Sequence, residues 1–245
     1  MTALVLIPTY NERENLPLIV NGVLAHEGTR VLVIDDGSPD GTGEVADQLA
    51  HEHSGRVSVM HRTGQRGLGR SYLDGFTAAL ASDADYVCQM DADLSHDARF
   101  LPSLLAAAAG GAGLVIGSRY RPGGRVENWP LRRKMLSAFA NTYIRSVTGL
   151  RVRDCTAGYR CWRREALARM PLDAISSDGY SFLVEVTFYA AQSGIPIAEV
   201  PIVFVERRQG ASKVSSAVLL ESLITPWRLA LARGRVGPAQ SRTNR

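Results

Sequence analysis

Apolar residues in the first 120 positions of the chain follow two different spacings in alternation. Short continuous apolar runs, rich in β-branched residues, occur at 3–7, 30–34, 56–60, 85–90 and 113–120. Between these runs, apolar residues recur at every third or fourth position, which is typical of amphipathic helices. Continuous apolar strands separated by such helices predict an α/β fold with a mostly parallel sheet and helices on both faces.

The helical spacing also predicts where individual helices lie. It indicates helices through Leu16–Leu24, Tyr72–Leu80 and Leu101–Ala109. Asn11 is followed three positions later by Glu14, which predicts a capping box at the start of the first helix. The segment "GQRGLG" lacks both the third glycine of a dinucleotide-binding loop and the G-K-[ST] ending of a phosphate loop.

The pattern changes after residue 121, where 121–130 predicts a loop and 195–213 predicts one strand that ends in a basic loop. We expect one domain over 1–232, with a nucleotide-binding half at 1–121 and an acceptor half at 122–232. The tail at 233–245 is basic and poor in apolar residues, so we expect it to be disordered.

A helix predicted over 131–148 combines a basic start with one apolar side. Its first turn carries Arg132, Arg133 and Lys134. The apolar side contains Met135, Phe139, Tyr143, Ile144 and Val147. Two interpretations remain open: an interfacial helix that meets lipid, or an ordinary core helix with a solvated basic end.

Composition narrows the class of protein only partly. The 245 residues carry a net charge of +4, and the basic residues cluster, which suits a nucleic acid, an anionic membrane or a phosphorylated small molecule. No nucleic-acid-binding motif is present. No signal peptide is recognisable, and no apolar stretch reaches the ~18 residues of a membrane span.

Cys88, Cys155 and Cys161 are odd in number and lack zinc spacing, so we expect reduced core thiols.

Polar motifs follow four of the predicted strands directly. These are "PTYNE", "DDGSPD", "DAD" and "GSRY". In parallel α/β sheets, ligands bind beyond the carboxyl ends of the strands. We therefore expect these four motifs to form one site.

Asp91 and Asp93 are the candidate metal ligands. Residues two apart in an extended chain project to the same side, and two carboxylates there repel each other unless a cation lies between them. Oxygen ligands without histidine or thiolate favour Mg²⁺ or Mn²⁺, and Mg²⁺ is commonly shared with substrate phosphates. The alternative is a solvated turn in which both aspartates act as caps. His96 is a candidate supporting residue.

Asp35 and Asp36 end the second strand, where an acidic residue suits a nucleoside base or ribose. A turn rich in Asp and Gly is the alternative. It accounts for Gly37, Ser38 and Gly41, but it does not account for two adjacent aspartates.

Six segments together resemble the dolichyl- or polyprenyl-phosphate mannosyltransferases among the family 2 glycosyltransferases. They are "PTYNEREN", "IDDGSPDGT", "MDADLSH", "GSRY", "VENWPLRRKMLS" and "ERRQGASK", in order over about 3–213. The resemblance implies a GT-A type, Rossmann-like fold.

The resemblance also implies roles for individual residues. Contacts to the sugar nucleotide are implied for Pro8, Tyr10, Glu12, Ile34, Asp36, Asp91, Ala92, Asp93, Arg119, Arg207 and Lys213. Arg119 would face both the donor and the acceptor phosphates, and Arg133 and Ser137 would hold the acceptor phosphate. Asp91 and Asp93 would bind the metal. Ser95 stands where some family members have a third metal ligand, Gln.

The reaction implied is transfer of mannose from GDP-mannose to a polyprenyl (dolichyl-type) monophosphate, with inversion and with Mg²⁺ or Mn²⁺. We expect a cytoplasmic protein that is peripheral at the cytoplasmic face of a membrane. An integral-membrane partner is one possible anchor, and no nucleic-acid partner is expected. Three alternatives remain open: a transferase that uses a UDP-sugar such as UDP-glucose, a nucleotidyltransferase, and a non-enzymatic basic module.

Overall fold

The computed structural model describes residues 1–206 and 216–233 of the chain. In these stretches the strands are β1 (Ala3–Thr9), β2 (Thr29–Asp35), β3 (Val57–His61), β4 (Tyr86–Gln89), β5 (Leu114–Ser118), β6 (Arg125–Glu127), β7 (Arg160–Arg163), β8 (Ile197–Pro201) and β9 (Val203–Val205). The α-helices are α1 (Leu16–Leu24), α2 (Thr42–Glu52), α3 (Leu68–Ala81), α4 (Leu101–Ala109), α5 (Leu131–Thr148), α6 (Arg164–Leu167), α7 (Gly179–Gln192) and α8 (Ser216–Leu231).

The larger sheet confirms the predicted α/β class. Its strand order is β3-β2-β1-β4-β7-β5-β8. Neighbouring strands are parallel, except that β7 runs antiparallel to both β4 and β5. Strands β6 and β9 pair in parallel as a separate two-stranded sheet. Strands from both sides of residue 121 thus share the large sheet. The single domain over 1–232, with a nucleotide-binding half and an acceptor half, stays a prediction.

Two apolar layers cover the two faces of the large sheet. Successive residues of a strand point to opposite faces, so Leu6 joins one layer and Ile7 joins the other. The first layer includes Phe76 of α3 and Phe182 of α7, and the second includes Leu16 of α1. Burial on both faces explains why these strands have continuous apolar sequences.

The predicted capping box at Asn11 and Glu14 is wrong. Helix α1 begins only at Leu16, and Asn11 has a left-handed backbone with φ of 61°. Pro17 occupies the first helical turn, where its missing N–H costs nothing and its fixed φ favours the helix. The helix start is therefore set by Pro17 rather than by a side-chain cap.

Two further segments differ from the pattern read in the sequence. The predicted loop at 121–130 contains strand β6. The single strand predicted after residue 195 is divided into β8 and β9, which belong to different sheets. The backbone N–H of Ile202, between them, donates to the Ser118 carbonyl, and the Ile202 carbonyl accepts from Arg125 N. Ile202 thereby bridges the two sheets.

The three cysteines are free and buried, as predicted. Burial raises the pKa of the Cys155 thiol to about 12. Within the two stretches given above, every helix is too short or too polar to cross a bilayer. Residues 234–245 lie outside the described residues, so the disordered tail stays a prediction.

Candidate active site

The ends of several strands meet at one edge of the large sheet. Thr9 at the end of β1 pairs with Asp35 at the end of β2, and β4 ends at Gln89, which pairs with Leu6 of β1. Because β7 is antiparallel, its first residue, Arg160, lies opposite Gln89. The loop before β7 therefore reaches the same edge as the four polar motifs.

Asp35 and Asp36 have separate roles in this structure. Asp35 accepts hydrogen bonds from the Ser38 hydroxyl at 2.5 Å and from Ser38 N at 3.2 Å, so it shapes the turn. Asp36 is 8% exposed, forms an ion pair with Arg62 and accepts from Gly67 N at 2.8 Å. The turn interpretation thus accounts for Asp35, whereas Asp36 connects the loops after β2 and β3.

Tyr10 and Glu12 lie in the loop after β1, in contact with neighbouring segments. Arg66 Nη1 donates to the Tyr10 hydroxyl at 2.7 Å, and its guanidinium lies 4.6 Å from the centre of the tyrosine ring. Arg66 Nη2 donates to the Gly37 carbonyl at 3.2 Å. Glu12 accepts from Asn15 Nδ2 at 2.8 Å. Arg66 therefore connects the loops after β1, β2 and β3.

Three apolar residues implied by the resemblance lie beneath these loops. Pro8 and Ile34 pair with each other near the ends of β1 and β2. Ile34 has no exposed surface and Ala92 has 3%. Ile34 belongs to the first apolar layer and Ala92 to the second.

Two buried aromatic side chains, those of His96 and Tyr72, form hydrogen bonds with Asp91. Its backbone N–H donates to His96 Nδ1 at 3.1 Å, and the Tyr72 hydroxyl donates to Asp91 Oδ1 at 3.4 Å. His96 is 2% exposed, and its ring lies 5.1 Å from that of Tyr159. Burial, together with the Asp91 charge, raises the pKa of Tyr72 well above its usual value, so this hydroxyl keeps its proton. His96 thus lies where the sequence predicted a supporting residue.

Asp93 is fixed by Ser95. Its Oδ1 accepts from the Ser95 hydroxyl at 2.5 Å and from Ser95 N at 3.1 Å. The Ser95 hydroxyl therefore donates to a candidate metal ligand, and its own ligation of a metal stays a prediction. The Asp91 side chain is 34% exposed, whereas Asp93 is 8% exposed as a residue.

The donor set at this position fits a hard divalent cation. Over the described ranges, His, Cys, Asp and Glu side chains form no group of three or more that could hold a metal by themselves. Two carboxylates are nevertheless the usual protein contribution to Mg²⁺, which completes its shell with water and substrate phosphates. His96 Nδ1 is already used by Asp91 N. The ligand set consistent with the geometry is therefore Asp91 and Asp93.

A buried guanidinium, that of Arg160, lies near Asp91. Arg160 has no exposed surface, and it donates to the carbonyls of Ala157 at 2.8 Å and Leu183 at 2.9 Å. Burial lowers its pKa to about 10, so it remains charged at neutral pH. Its hydrogen-bond partners are uncharged carbonyls, which do not neutralise it. Its positive charge therefore acts on nearby carboxylates, including that of Asp91.

Arg119 is oriented by a buried carboxylate from the loop before β7. Its Nε and Nη2 donate to the two oxygens of Asp154 at 2.8 and 2.6 Å, and its backbone N donates to Asp154 as well. Nη2 also donates to Thr156 Oγ1 at 2.8 Å. Asp154 is fully buried and Arg119 is 9% exposed. This two-pronged contact fixes the plane of the guanidinium.

Ser137 and Arg133 lie one helical turn apart on α5. The Tyr120 hydroxyl donates to Ser137 Oγ at 2.7 Å. Arg133 Nη1 donates to both oxygens of Glu206 at 2.6 Å, and the Arg133 guanidinium lies 4.2 Å from the centre of the Trp129 ring. The two residues implied for the acceptor phosphate are thus on the same face of one helix.

Asn141 connects α5 to the loop that carries Asp154. Its Oδ1 accepts from Cys155 N at 2.8 Å, and its Nδ2 donates to the Ser137 carbonyl at 2.9 Å. Helix α5 and Arg119 are therefore held by one buried hydrogen-bond network.

The structure brings together most of the predicted site residues, and it adds others. Arg207 and Lys213 lie outside the described residues. Asp154, Tyr72, Trp129 and Glu206 were not identified from the sequence. Asp154 in "RDCTAG" is a carboxylate shortly before a strand. This is the signal by which it could have been found.

A mostly parallel α/β sheet with an acidic pair at the ends of its strands defines the class of GT-A type glycosyltransferases. The chain belongs to the family "Glycosyl transferase family 2", whose model matches residues 4–170. It is therefore a glycosyltransferase.

Two relatives are similar to this chain over nearly its whole length. The polyprenol monophosphomannose synthase of Mycolicibacterium smegmatis is 50% identical over 240 residues, which cover 97% of this chain and 89% of the relative. The undecaprenyl-phosphate mannosyltransferase of Micrococcus luteus is 48% identical over 233 residues, which cover 95% of each.

A solved structure supports the fold. Glucosyl-3-phosphoglycerate synthase from Mycobacterium tuberculosis, in complex with Mn²⁺, UDP and phosphoglyceric acid, matches with a TM-score of 0.71 at 18% identity. The match covers 94% of this chain and 78% of that one. At this identity the likeness shows the GT-A fold alone.

Asp154→Asn is expected to destabilise the protein markedly. The substitution removes the negative charge that faces the largely buried Arg119, and breaking one side of a buried ion pair costs about 3–5 kcal/mol. Glu165→Gln, in the exposed pair with Arg163, is the matched control and is expected to change stability by less than about 1 kcal/mol. Urea unfolding of both variants measures the difference, and equal stabilities would contradict the orienting role of Asp154.

Proposed function

We propose that this glycosyltransferase moves mannose from GDP-mannose to a polyprenyl (dolichyl-type) monophosphate, with inversion at the anomeric carbon. The observation that carries the proposal is the identity of 50% and 48% to two enzymes named for mannose and polyprenyl phosphate, over at least 95% of this chain. The geometry is consistent with it, because the acidic pair and two arginines lie in connected parts of one site.

On the donor side, Tyr10, Glu12 and Asp36 are proposed to contact the nucleotide, with Pro8, Ile34 and Ala92 forming the wall of the pocket. Asp91 and Asp93 would hold Mg²⁺ or Mn²⁺, with Ser95 fixing Asp93 or contributing as a further ligand. When bound, the ion would neutralise negative charge on the diphosphate of the donor. Arg207 and Lys213, outside the described residues, are proposed to add positive charge there.

On the acceptor side, Arg119, Arg133 and Ser137 are proposed to bind the phosphate. A phosphate monoester has a second pKa of about 6, so it is already ionised at neutral pH and needs no strong general base. One phosphate oxygen forms a bond to the anomeric carbon while the bond from that carbon to GDP breaks. A single displacement of this kind inverts the configuration.

An exposed apolar surface beside the acceptor residues supports contact with a membrane. Helices α5 and α8 lie together, with the Tyr143 hydroxyl donating to the Leu223 carbonyl at 2.7 Å. Their large apolar side chains, each more than half exposed, are Leu131, Met135, Leu136, Phe139, Leu223, Ile224, Trp227 and Leu231. Arg132 and Lys134 are exposed next to this apolar surface. Exposed apolar area with basic residues at its border is typical of helices that lie at a lipid interface.

The exposure of the α5 side chains is consistent with both interpretations of its sequence, an interfacial helix and a core helix. Met135 and Phe139 in its first half are exposed, whereas Ile144 near its end is 5% exposed and belongs to the core. We propose that the protein acts at the cytoplasmic face of a membrane, held by this surface or by an integral-membrane partner.

A donor screen tests the reaction. With short-chain polyprenyl monophosphate and Mg²⁺ or Mn²⁺, GDP-mannose is expected to give GDP and the mannosylated lipid phosphate, detected by mass spectrometry. Chelation of the metal is expected to lower turnover at least about 100-fold. Polyprenol without phosphate is the control acceptor and should give no product. Transfer from UDP-glucose in preference to GDP-mannose would contradict the proposal.

Replacing exposed aromatic side chains of α5 and α8 is expected to weaken membrane binding. Phe139→Ser combined with Trp227→Ser should lower partitioning onto phosphatidylglycerol vesicles at least about tenfold, since burying one such side chain is worth about 1.5–3 kcal/mol. Leu18→Ser, at a residue of α1 with 57% exposure, is the matched control. Equal sedimentation of both variants with vesicles would contradict a lipid-facing role for this surface.

A further inference from the structure

Arg133, which is proposed to bind the acceptor phosphate, is already occupied by a carboxylate in this structure. Its Nη1 donates to both oxygens of Glu206 at 2.6 Å. The two side chains are 31% and 27% exposed, so the pair is partly shielded from water. Glu206 follows strand β9 and is 73 positions away from Arg133, so the tertiary fold creates this contact.

One aromatic side chain, that of Trp129, lies against both Arg133 and Arg119. The Arg133 guanidinium is 4.2 Å from the Trp129 ring centre, and the Arg119 guanidinium is 5.6 Å from it. Phe204, two residues before Glu206, packs edge-on against Trp129 at 5.5 Å. The Glu206 carboxylate thus lies beside a cluster of two arginines, of which Arg119 is paired with Asp154.

A carboxylate and a phosphate compete for one guanidinium, because both accept its N–H bonds with oxygen atoms. A phosphate monoester carries about −1.5 to −2 charges at pH 7, whereas a carboxylate carries one. A doubly charged phosphate can therefore displace the carboxylate, and a singly charged ligand gains little by the exchange.

We propose that Glu206 occupies the place of the acceptor phosphate on Arg133 until the acceptor binds, and that it thereby sets the affinity for the acceptor. This inference rests on the proposed acceptor role of Arg133. Glu206 acts as an internal competitor: it neutralises Arg133 in the free enzyme and lowers the apparent affinity for any anion there. Selection of a dianionic monoester over singly charged lipids follows from the same competition.

Glu206→Gln tests this competition. At saturating GDP-mannose, the KM for a short-chain polyprenyl monophosphate is expected to fall about three- to tenfold, because the competing charge is removed while the side chain keeps its size. The KM for GDP-mannose should not change. Inorganic phosphate should inhibit competitively against the acceptor, with an inhibition constant lowered by a similar factor in the variant.

Glu127→Gln is the matched control, because Glu127 forms a comparable pair with Arg125 at 2.9 Å in the neighbouring strand β6. It should leave both KM values unchanged. In an Arg133→Gln background, Glu206→Gln should no longer lower the acceptor KM. A purely structural role of Glu206 would not produce this dependence on Arg133.

The outcomes separate the two proposals. If Glu206→Gln leaves the acceptor KM unchanged or raises it, while Arg133→Gln still raises the acceptor KM, only the proposed role of Glu206 is overturned. An acceptor KM that does not respond to Arg133→Gln, or a wild-type enzyme that does not use polyprenyl phosphate, overturns the proposed function. If Glu206→Gln does not fold, Glu206→Ala and calorimetric titration of the wild type and Glu206→Ala with inorganic phosphate provide the same comparison.

Discussion

The proposed site depends on two carboxylates that lie two positions apart in the chain, directly after a buried strand. Asp91 and Asp93 follow β4, and like charges two positions apart repel each other. Fixed donors counteract this repulsion: Tyr72 and Ser95 hydrogen-bond to the carboxylates, and the positive charge of Arg160 acts on Asp91. A divalent ion between the two carboxylates would complete the charge balance, and a diphosphate donor shares such an ion naturally.

The antiparallel strand β7 makes this arrangement possible. Its reversed direction brings its first residue, Arg160, opposite Gln89 at the end of β4, close enough for its charge to act on Asp91. The loop before it delivers Asp154 to Arg119, and Asn141 connects that loop to α5. The residues proposed for the metal, the donor and the acceptor are thus connected through one short strand and the loop before it.

The sequence predicted those features that local patterns encode. Helices at 101–109 and 131–148 have the predicted bounds, and the acidic pair was recognisable because its residues are only two positions apart in the chain. The partners of the arginines could not be predicted, since Asp154 and Glu206 are 35 and 73 positions away from them. The capping box at Asn11 failed because Pro17 sets the helix start more strongly than a side-chain cap does.

Direct measurement of metal binding tests the central claim, that Asp91 and Asp93 together hold the ion used by the donor. Titration of Mn²⁺ in the presence of GDP, followed by electron paramagnetic resonance, should show tight binding to the wild-type protein. Asp91→Asn combined with Asp93→Asn should weaken that binding at least about tenfold, while thermal unfolding confirms that the variant is folded. Equal Mn²⁺ affinity in a folded double variant would contradict the account.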